Sequence, residues 1–452
     1  MTEPISQQRV LEALRSRSSW PNRPERVDVI ETHAALIFLA NEDVLKVRRA
    51  VRLSYLDYTT LEARRRACIR ELELNARHAP DLYRGLAPIR QMPDGQIKVG
   101  SDTGEIVEWS VSMRRFPQGA LLSEMAVRGA LDTALIKKLA DRAYAFHRDA
   151  PQSAEAVDTI ETVAQSVSDA ILQSASADVL AVGREVEALL RHAAEDTRQV
   201  RALRAAAGSI RRCHGDLHLR NIVLWRGVPT PFDALEFDEG LATIDTLYDL
   251  AFLIMDIDRK ASREHANALL NRYLWRSGAA LDLEGLEALP LFLGLRAAVR
   301  ALVSLDRASI APSDNAGTIQ HAKDLLEAAT RYLNPAPPSL VAIGGLSGSG
   351  KTTLAASLAP LVGAAPGALH LRTDLERKWL VGVEELDRLP DEAYSDRQTR
   401  ATYERVAKRA ETALAAGHSV VVDGVFANAS ERASVEAIAS AAAVPFRGLW
   451  LD

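Results

Sequence analysis

The hydrophobic positions of the first half change period several times, and each change marks an element. Residues 27–52 read as short strands: Val27-Asp28-Val29-Ile30, Ala35-Leu36-Ile37-Phe38-Leu39 and Asp43-Val44-Leu45-Lys46-Val47. Residues 59–78, TTLEARRRACIRELELNARH, carry the spacing of a charged amphipathic helix. The turn Pro93-Asp94-Gly95 separates two alternating runs and predicts a hairpin. Val107 to Met113 predicts a further strand. The pattern is helical from 122 to 205, breaks into short strands and turns over 213–238, and is helical again over 248–333. A small α/β lobe (25–115) followed by a mainly helical lobe (116–333) is the predicted layout, with no internal repeat.

Asn334-Pro335-Ala336-Pro337-Pro338 ends that region, because prolines cannot continue a helix and stiffen the segment they occupy. Directly after it, Leu340-Val341-Ala342-Ile343 reads as a buried parallel strand. The sequence therefore divides into residues 1–333, a linker 334–339 and a second part 340–452. A chain of 452 residues is in any case too long for one ordinary core.

Composition narrows the class. A formal net charge of −5 argues against a nucleic-acid-coating protein, whose footprint would be basic. Two cysteines, Cys68 and Cys213, cannot build a disulfide framework, which fits a reducing cytoplasm. The N-terminus MTEPISQQRVLEALRSR is polar with amphipathic helical spacing and has no apolar signal core. No uninterrupted apolar run reaches the roughly 18 residues of a membrane span, so no membrane partner is expected.

Chemistry concentrates at two places. The first is His214-Gly215-Asp216-Leu217-His218-Leu219-Arg220-Asn221, which leads into the apolar Ile222-Val223-Leu224. In such a loop an aspartate can take the proton of an attacking hydroxyl while the asparagine holds Mg²⁺. A second carboxylate usually completes the ligand set. Pro231-Phe232-Asp233-Ala234-Leu235-Glu236-Phe237 offers two, on a predicted strand.

This segment resembles the catalytic loop of the aminoglycoside phosphotransferase and choline kinase families, relatives of the protein kinases. The resemblance covers roughly residues 25–330 and implies an α+β bilobal kinase-like fold. It implies Asp216 as catalytic base and Lys46 as the clamp on ATP phosphates. Glu71, or alternatively Glu73, would be the ion-pair partner of that lysine. Asn221 and either Asp233 or Glu236 would hold the metal. Trp109 to Phe116 is similar to the hinge that receives adenine, with Met113 at its centre. Ala145-Phe146-His147 is similar to a family helix end, where His147 would be structural, and Cys213 beside His214 reads as a packed thiol. Asp245-Thr246-Leu247-Tyr248-Asp249-Leu250-Ala251 resembles a segment whose aspartate caps a helix. Glu31-Thr32-His33-Ala34 lacks the glycines of the protein-kinase phosphate loop.

The second place is Gly345-Leu346-Ser347-Gly348-Ser349-Gly350-Lys351-Thr352, a complete G-x-x-x-x-G-K-[ST] between a strand and a helix that begins at Thr353. Its glycines let backbone N–H groups wrap phosphate, and the helix N-terminus adds positive potential. Lys351 is expected on the β/γ-phosphates and Thr352 on Mg²⁺. Leu369 to Asp374 and Ser419 to Asp423 predict two more strands ending in carboxylates, in an α/β domain with a mostly parallel sheet. Asp374 and Arg377 resemble the substrate-side residues of small P-loop kinases such as gluconate and shikimate kinases, although a helix N-cap explains Asp374 equally well. Asp423 resembles a Walker-B carboxylate. The resemblance stops at Gly448-Leu449-Trp450-Leu451-Asp452, without the arginine-bearing lid that such kinases continue into.

Together these features lead to the expectation of a cytoplasmic, ATP- and Mg²⁺-dependent phosphotransferase acting on a hydroxyl of a small polar molecule. The acidic run Asp245, Asp249, Asp256 and Asp258 permits a cationic acceptor, and helix-surface charge explains it equally well. A nucleotide-responsive regulatory protein is the alternative reading, and a kinase acting on protein or on a nucleotide-sugar is a third.

Overall fold

The computed structural model describes residues 6–452 apart from His33, Ser54–Tyr55, 174–176 and 311–314. The first five residues and His33, both part of the sequence expectations, thus lie outside the described residues. Contacts divide the chain into two compact units. One joins Met1–Arg128 to His214–Thr243, and the other joins Gly129–Cys213 to Ile244–Asp452. The prolyl segment at 334–338 lies inside the second unit.

The first unit is built on a six-stranded antiparallel sheet. Its strands run in the order Val27–Glu31, Ala35–Ala40, Asp43–Arg48, Glu105–Arg114, Tyr83–Gln91, Ile97–Val99. The period-2 pattern places Phe38, Leu45, Val47 and Ile89 in one core with Val10, Leu14 and Trp20 of the N-terminal segment. A second cluster gathers Val44, Cys68, Leu82, Tyr83, Val111, Met113 and Val223. The helix Leu61–Asn75 starts at Thr60, whose side chain accepts from the Ala63 amide. Its hydrophobic stripe is weak because the buried face includes Arg64 and Glu71 as well as Ala67 and Cys68.

One expectation fails here. The strand that starts at Val228 ends at Pro231, so Asp233 and Glu236 lie on a loop and not on a strand. Asp233 has φ 61°, a left-handed conformation that no strand tolerates. The backbone amides of the loop find other partners: Phe232 donates to the Asn221 carbonyl and Leu235 to the His214 carbonyl.

The second unit combines the helical region with the P-loop region. Its helices Thr133–Asp149, Thr246–Lys260, Arg263–Ser277 and Leu289–Ile310 supply most of the buried apolar residues. Residues Ala280–Asp306 are long and apolar enough to cross a membrane by composition alone, yet about two thirds of the most apolar window is buried among neighbouring helices, as in a core helix. The remaining sheet has four parallel strands in the order Leu369–Arg372, Val420–Asp423, Leu340–Gly345, Phe446–Leu451. The two fold classes expected, kinase-like mixed α/β and a parallel P-loop sheet, are both present.

Candidate active site

Lys46 and Arg48 stand two residues apart on one strand, so both point to the same face of the sheet. Neither is more than 7% exposed, and that face therefore buries two cations. Burial at this depth requires carboxylate partners. Glu71, with no exposure, accepts from Lys46 Nζ at 3.0 Å and also from Arg48. Glu73 points away into solvent, where it pairs with Arg70. Lys46 also bonds Asp233, and Arg48 also bonds Glu236.

The charges set each other. Burial lowers the lysine's proton affinity, and Arg48 adds to that, but Asp233, Glu71 and Glu236 outweigh both and hold Lys46 above its ordinary value. Asp233 is raised by burial and lowered more by Lys46, ending below the usual aspartate range. Glu236 goes the other way: burial pushes it up, against the pull of Arg48 and Lys46. Tyr58 donates to Glu236 at 3.3 Å. Glu236 is thus engaged by Arg48 and Tyr58, while the Asp233 carboxylate pairs with Lys46 and keeps 39% of its side chain exposed.

Asp216 and Asn221 close the site. Gly215 has φ 81°, and a Cβ there would lie 3.0 Å from both Ala242 and Leu235, so the turn before Asp216 needs glycine. Asn221 ends a short 3-10 turn, Leu219–Asn221, and donates through Nδ2 to Asp216 Oδ2 at 2.8 Å. That bond leaves the Asn221 amide oxygen for another partner. His218 Nε2 lies 3.4 Å from the same carboxylate oxygen. The charge of Asp216 reaches Asp233 and opposes its ionisation. A carboxylate oxygen of Asp233 and the amide oxygen of Asn221 offer oxygen ligands. Such a set fits a hard divalent cation of the magnesium type.

Two residues that sequence reasoning missed hold the loop in place. Asn75 accepts from the Ala234 amide at 2.9 Å through Oδ1 and donates to the Glu71 carbonyl at 2.8 Å. The Tyr83 hydroxyl accepts from the Asp233 amide at 3.2 Å and reaches Glu71 Oε1 at 3.4 Å. Arg48 was missed as well; its signal was the spacing Lys46-x-Arg48 in an otherwise apolar strand. Met113 lies inside the strand Glu105–Arg114, opposite Val44, with its side chain buried in the second cluster. Of the segment Trp109 to Phe116, only Arg115 and Phe116 lie beyond that strand.

In the P-loop region, Gly345, Gly348 and Gly350 have φ of 148°, 86° and 87°, which turns the loop back on itself before the helix Lys351–Leu358. Lys351 Nζ donates to the Leu346 carbonyl at 2.6 Å, curled over its own loop. Leu346 and Ser347 are exposed, while Thr352 opens the helix beside Lys351 and Thr353 follows in solvent. Ser349 Oγ is buried without a hydrogen-bond partner among the described residues. Asp423 ends the strand next to Leu340–Gly345, in register with Ile343, and its Oδ2 is 2.8 Å from His370 Nε2. Asp374 is not an N-cap. Arg372 occupies that place, and Asp374 lies in the first turn with its carboxylate on Arg372 Nη2 at 2.8 Å. Arg377 bonds the Ala393 carbonyl and Thr399.

The acidic run does not form an open cleft. Asp245 caps its helix and pairs with Arg204, Asp249 with His147, Asp256 with Lys260, and Asp258 with Arg263 and Tyr332. His147 is buried, with its ring nitrogens within hydrogen-bond distance of Tyr273 and Asp249. Cys213 is a buried thiol, which burial pushes well above its ordinary value.

Solved structures with some likeness include an ethanolamine kinase of Plasmodium vivax, 13% identical with a TM-score of 0.43, covering 67% of this chain and 81% of that one. A choline/ethanolamine kinase family protein of Mesorhizobium loti is 14% identical with a TM-score of 0.41, covering 71% and 98%. An aminoglycoside-3'-phosphotransferase of type VIII is 16% identical with a TM-score of 0.36, covering 64% and 98%. These likenesses are too distant to carry the substrates of those enzymes to this chain. A family model described as an AAA domain matches residues 340–452. The uncharacterized protein Rv2004c of Mycobacterium tuberculosis is 31% identical over 439 residues, 93% of this chain and 83% of that protein, and Mb2027c of Mycobacterium bovis matches to the same extent. With its AAA-domain match over residues 340–452, the chain belongs to the family of these mycobacterial proteins.

Proposed function

We propose that this protein is an ATP- and Mg²⁺-dependent phosphotransferase whose chemistry resides in the first unit, with a hydroxyl of a small polar molecule as acceptor. The observation that carries the reading is the ion-pair cluster Lys46–Glu71–Asp233 beside the Asn221–Asp216 hydrogen bond. Lys46 supplies a permanently charged donor for phosphate oxygens. Asp216, its Oδ2 oriented by Asn221, is the group to take the acceptor's proton. Asn221 and Asp233 would hold the cation, which supplies charge neutralisation on the transferred phosphate. The P-loop region binds a second nucleotide through the glycine cradle, Lys351 and Thr352, with Asp423 near its cation and Asp374 on the acceptor side. A cytoplasmic location is part of the same reading.

The test is acceptor-dependent ADP release, screened over aminoglycosides, sugars, choline-like amines and nucleosides. Wild type is compared with Asp216→Asn and Lys351→Ala. Stimulation lost only in Asp216→Asn is the expected result. Loss only in Lys351→Ala would move the chemistry to the P-loop region. No stimulation by any acceptor, with ATP binding intact, would replace the phosphotransferase by a nucleotide-responsive regulator.

A further inference from the structure

The second unit contains a cationic place that neither nucleotide region uses. A cleft of about 590 Å³ is walled by the corner Asp258–Arg263, the end of the helix Asn315–Leu333, the linker residues Pro335 and Ala336, and the loop Gly363–Ala365. That volume falls within the range of small-molecule sites, roughly 300–1,000 Å³. Three guanidinium groups line it, Arg259, Arg263 and Arg331, against the single carboxylate of Asp258. The formal balance of three positive and one negative charge is +2.

The carboxylate is already committed. Arg263 Nη2 lies 3.1 Å from Asp258 Oδ2, and the Tyr332 hydroxyl donates to the same oxygen at 2.6 Å. Arg259 Nη1 donates to the Asp324 carbonyl at 3.2 Å and pairs with no carboxylate among the described residues. The Arg331 side chain is exposed and makes no hydrogen bond or ion pair among the described residues. The dipole of its helix accounts for one base at a C-terminus, but not for three guanidinium groups around one cleft. The positive field extends further: burial first, and then Arg259 and Arg300, hold His321 below the ordinary imidazole value.

The opposite wall is fixed by packing. Gly363 has φ 76°, and a Cβ there would lie 2.1 Å from Ser419 Oγ. Gly367 closes the loop with φ 113°, and its Cβ would lie 2.5 Å from the Ala359 carbonyl oxygen. Ser419 Oγ in turn accepts from the Ser339 amide at 3.0 Å. A ligand entering the cleft meets a wall that needs little ordering on binding.

We propose that this cleft is a binding site for a small anion with phosphate-type oxygens, recognised by Arg259 and Arg331, with Arg263 held in place by Asp258. Planar guanidinium groups match phosphate oxygens in pairs, which lysines in the same places would not do. None of its lining residues belongs to the glycine-rich P-loop or to the Lys46–Asp216 cluster, so its occupancy does not depend on the assignment of chemistry to Asp216.

The test uses the full chain carrying Lys351→Ala, in EDTA, titrated calorimetrically with inorganic pyrophosphate. The same chain with Arg259→Ala and Arg331→Ala added is the comparison. Both side chains are at least partly exposed, so folding is expected to survive, and circular dichroism checks it. A third chain, Lys351→Ala with the exposed Arg331→Glu alone, serves should the Arg259 change disturb the helix. The expected result is saturable binding in the parent that weakens at least about tenfold in either variant. Identical isotherms, or no saturable binding up to millimolar pyrophosphate, would overturn the proposal. Equal displacement of pyrophosphate by citrate would overturn its phosphate specificity.

Discussion

In the proposed reading, the two candidate nucleotide regions would hold phosphate by opposite means. In the first unit the work would fall to side-chain charges: two buried cations, Lys46 and Arg48, balanced by Glu71, Asp233 and Glu236. In the P-loop region it would fall to backbone geometry, set by Gly345, Gly348 and Gly350, with the Lys351 side chain lying across the loop. A charge cluster is costly to bury, and removing one member leaves the others without compensation. A backbone cradle carries no such debt, but it tolerates no added Cβ. The first region should therefore be sensitive to charge and the second to shape.

The largest effect sharpens where chemistry lies. Asp216→Asn should lower acceptor-dependent ADP release by about 10²–10⁴-fold, the usual range for a lost general base, with nucleotide affinity nearly unchanged. Lys351→Ala should leave that rate within a few-fold. A coupled assay run beside nucleotide-binding titrations reads both.

Next comes the charge cluster. Glu71→Ala leaves Lys46 and Arg48 short of a fully buried partner, and should destabilise the first unit by about 3–5 kcal/mol. Thermal unfolding followed by calorimetry measures it. A shift of less than a degree would show that Asp233 and Glu236 suffice on their own.

Acid should separate the regions. His418, buried beside the P-loop sheet with Nε2 unpartnered among the described residues, is held down to about 4 by burial. Its imidazole is neutral in the fold, whereas the unfolded chain takes up a proton near the ordinary value of 6.5. Its contribution is therefore complete above that value. It is lost as pH falls toward about 4, roughly 3 kcal/mol in all. Asp233 is also held below its ordinary value, against burial and chiefly by Lys46, so its contribution persists until pH falls below the ordinary aspartate value, a lower window than that of His418. Stability curves of wild type and His418→Leu from pH 7 to 4 should differ in slope; parallel curves would refute the assignment.

The smallest expected effect tests shape. In Gly345→Ala the new Cβ would sit 2.4 Å from the Leu451 carbonyl oxygen and 2.8 Å from Ser349 Oγ, at φ 148°. Backbone strain of this kind costs roughly 1–3 kcal/mol, read as a lower Tm together with weaker nucleotide binding. Acceptor-dependent turnover in the first unit should remain.

Much of this was legible in the sequence where the signal was local. The strands at 27, 35 and 43, the helix at 61 and the P-loop each follow from periodicity or from glycine spacing. The strand assigned around Asp233 was wrong because one left-handed residue, with amide partners distant in sequence, overrides an apparently extended run. Arg48, Asn75 and Tyr83 were missed for the same reason: their meaning depends on pairings across 23 to 159 residues of chain. His370 beside Asp423 is a similar case, visible only once two parallel strands are in register.

Asn75 has one more consequence. It sits one turn beyond Glu71 on the same helix and grips the amide next to Asp233, while Tyr83 touches both carboxylate-bearing segments. The helix cannot swing outward, releasing Lys46, without also dragging away the loop that would carry the cation. Phosphate grip and metal grip would then fail or form in the same movement, and a partly assembled site holding nucleotide without its cation should be scarcely populated.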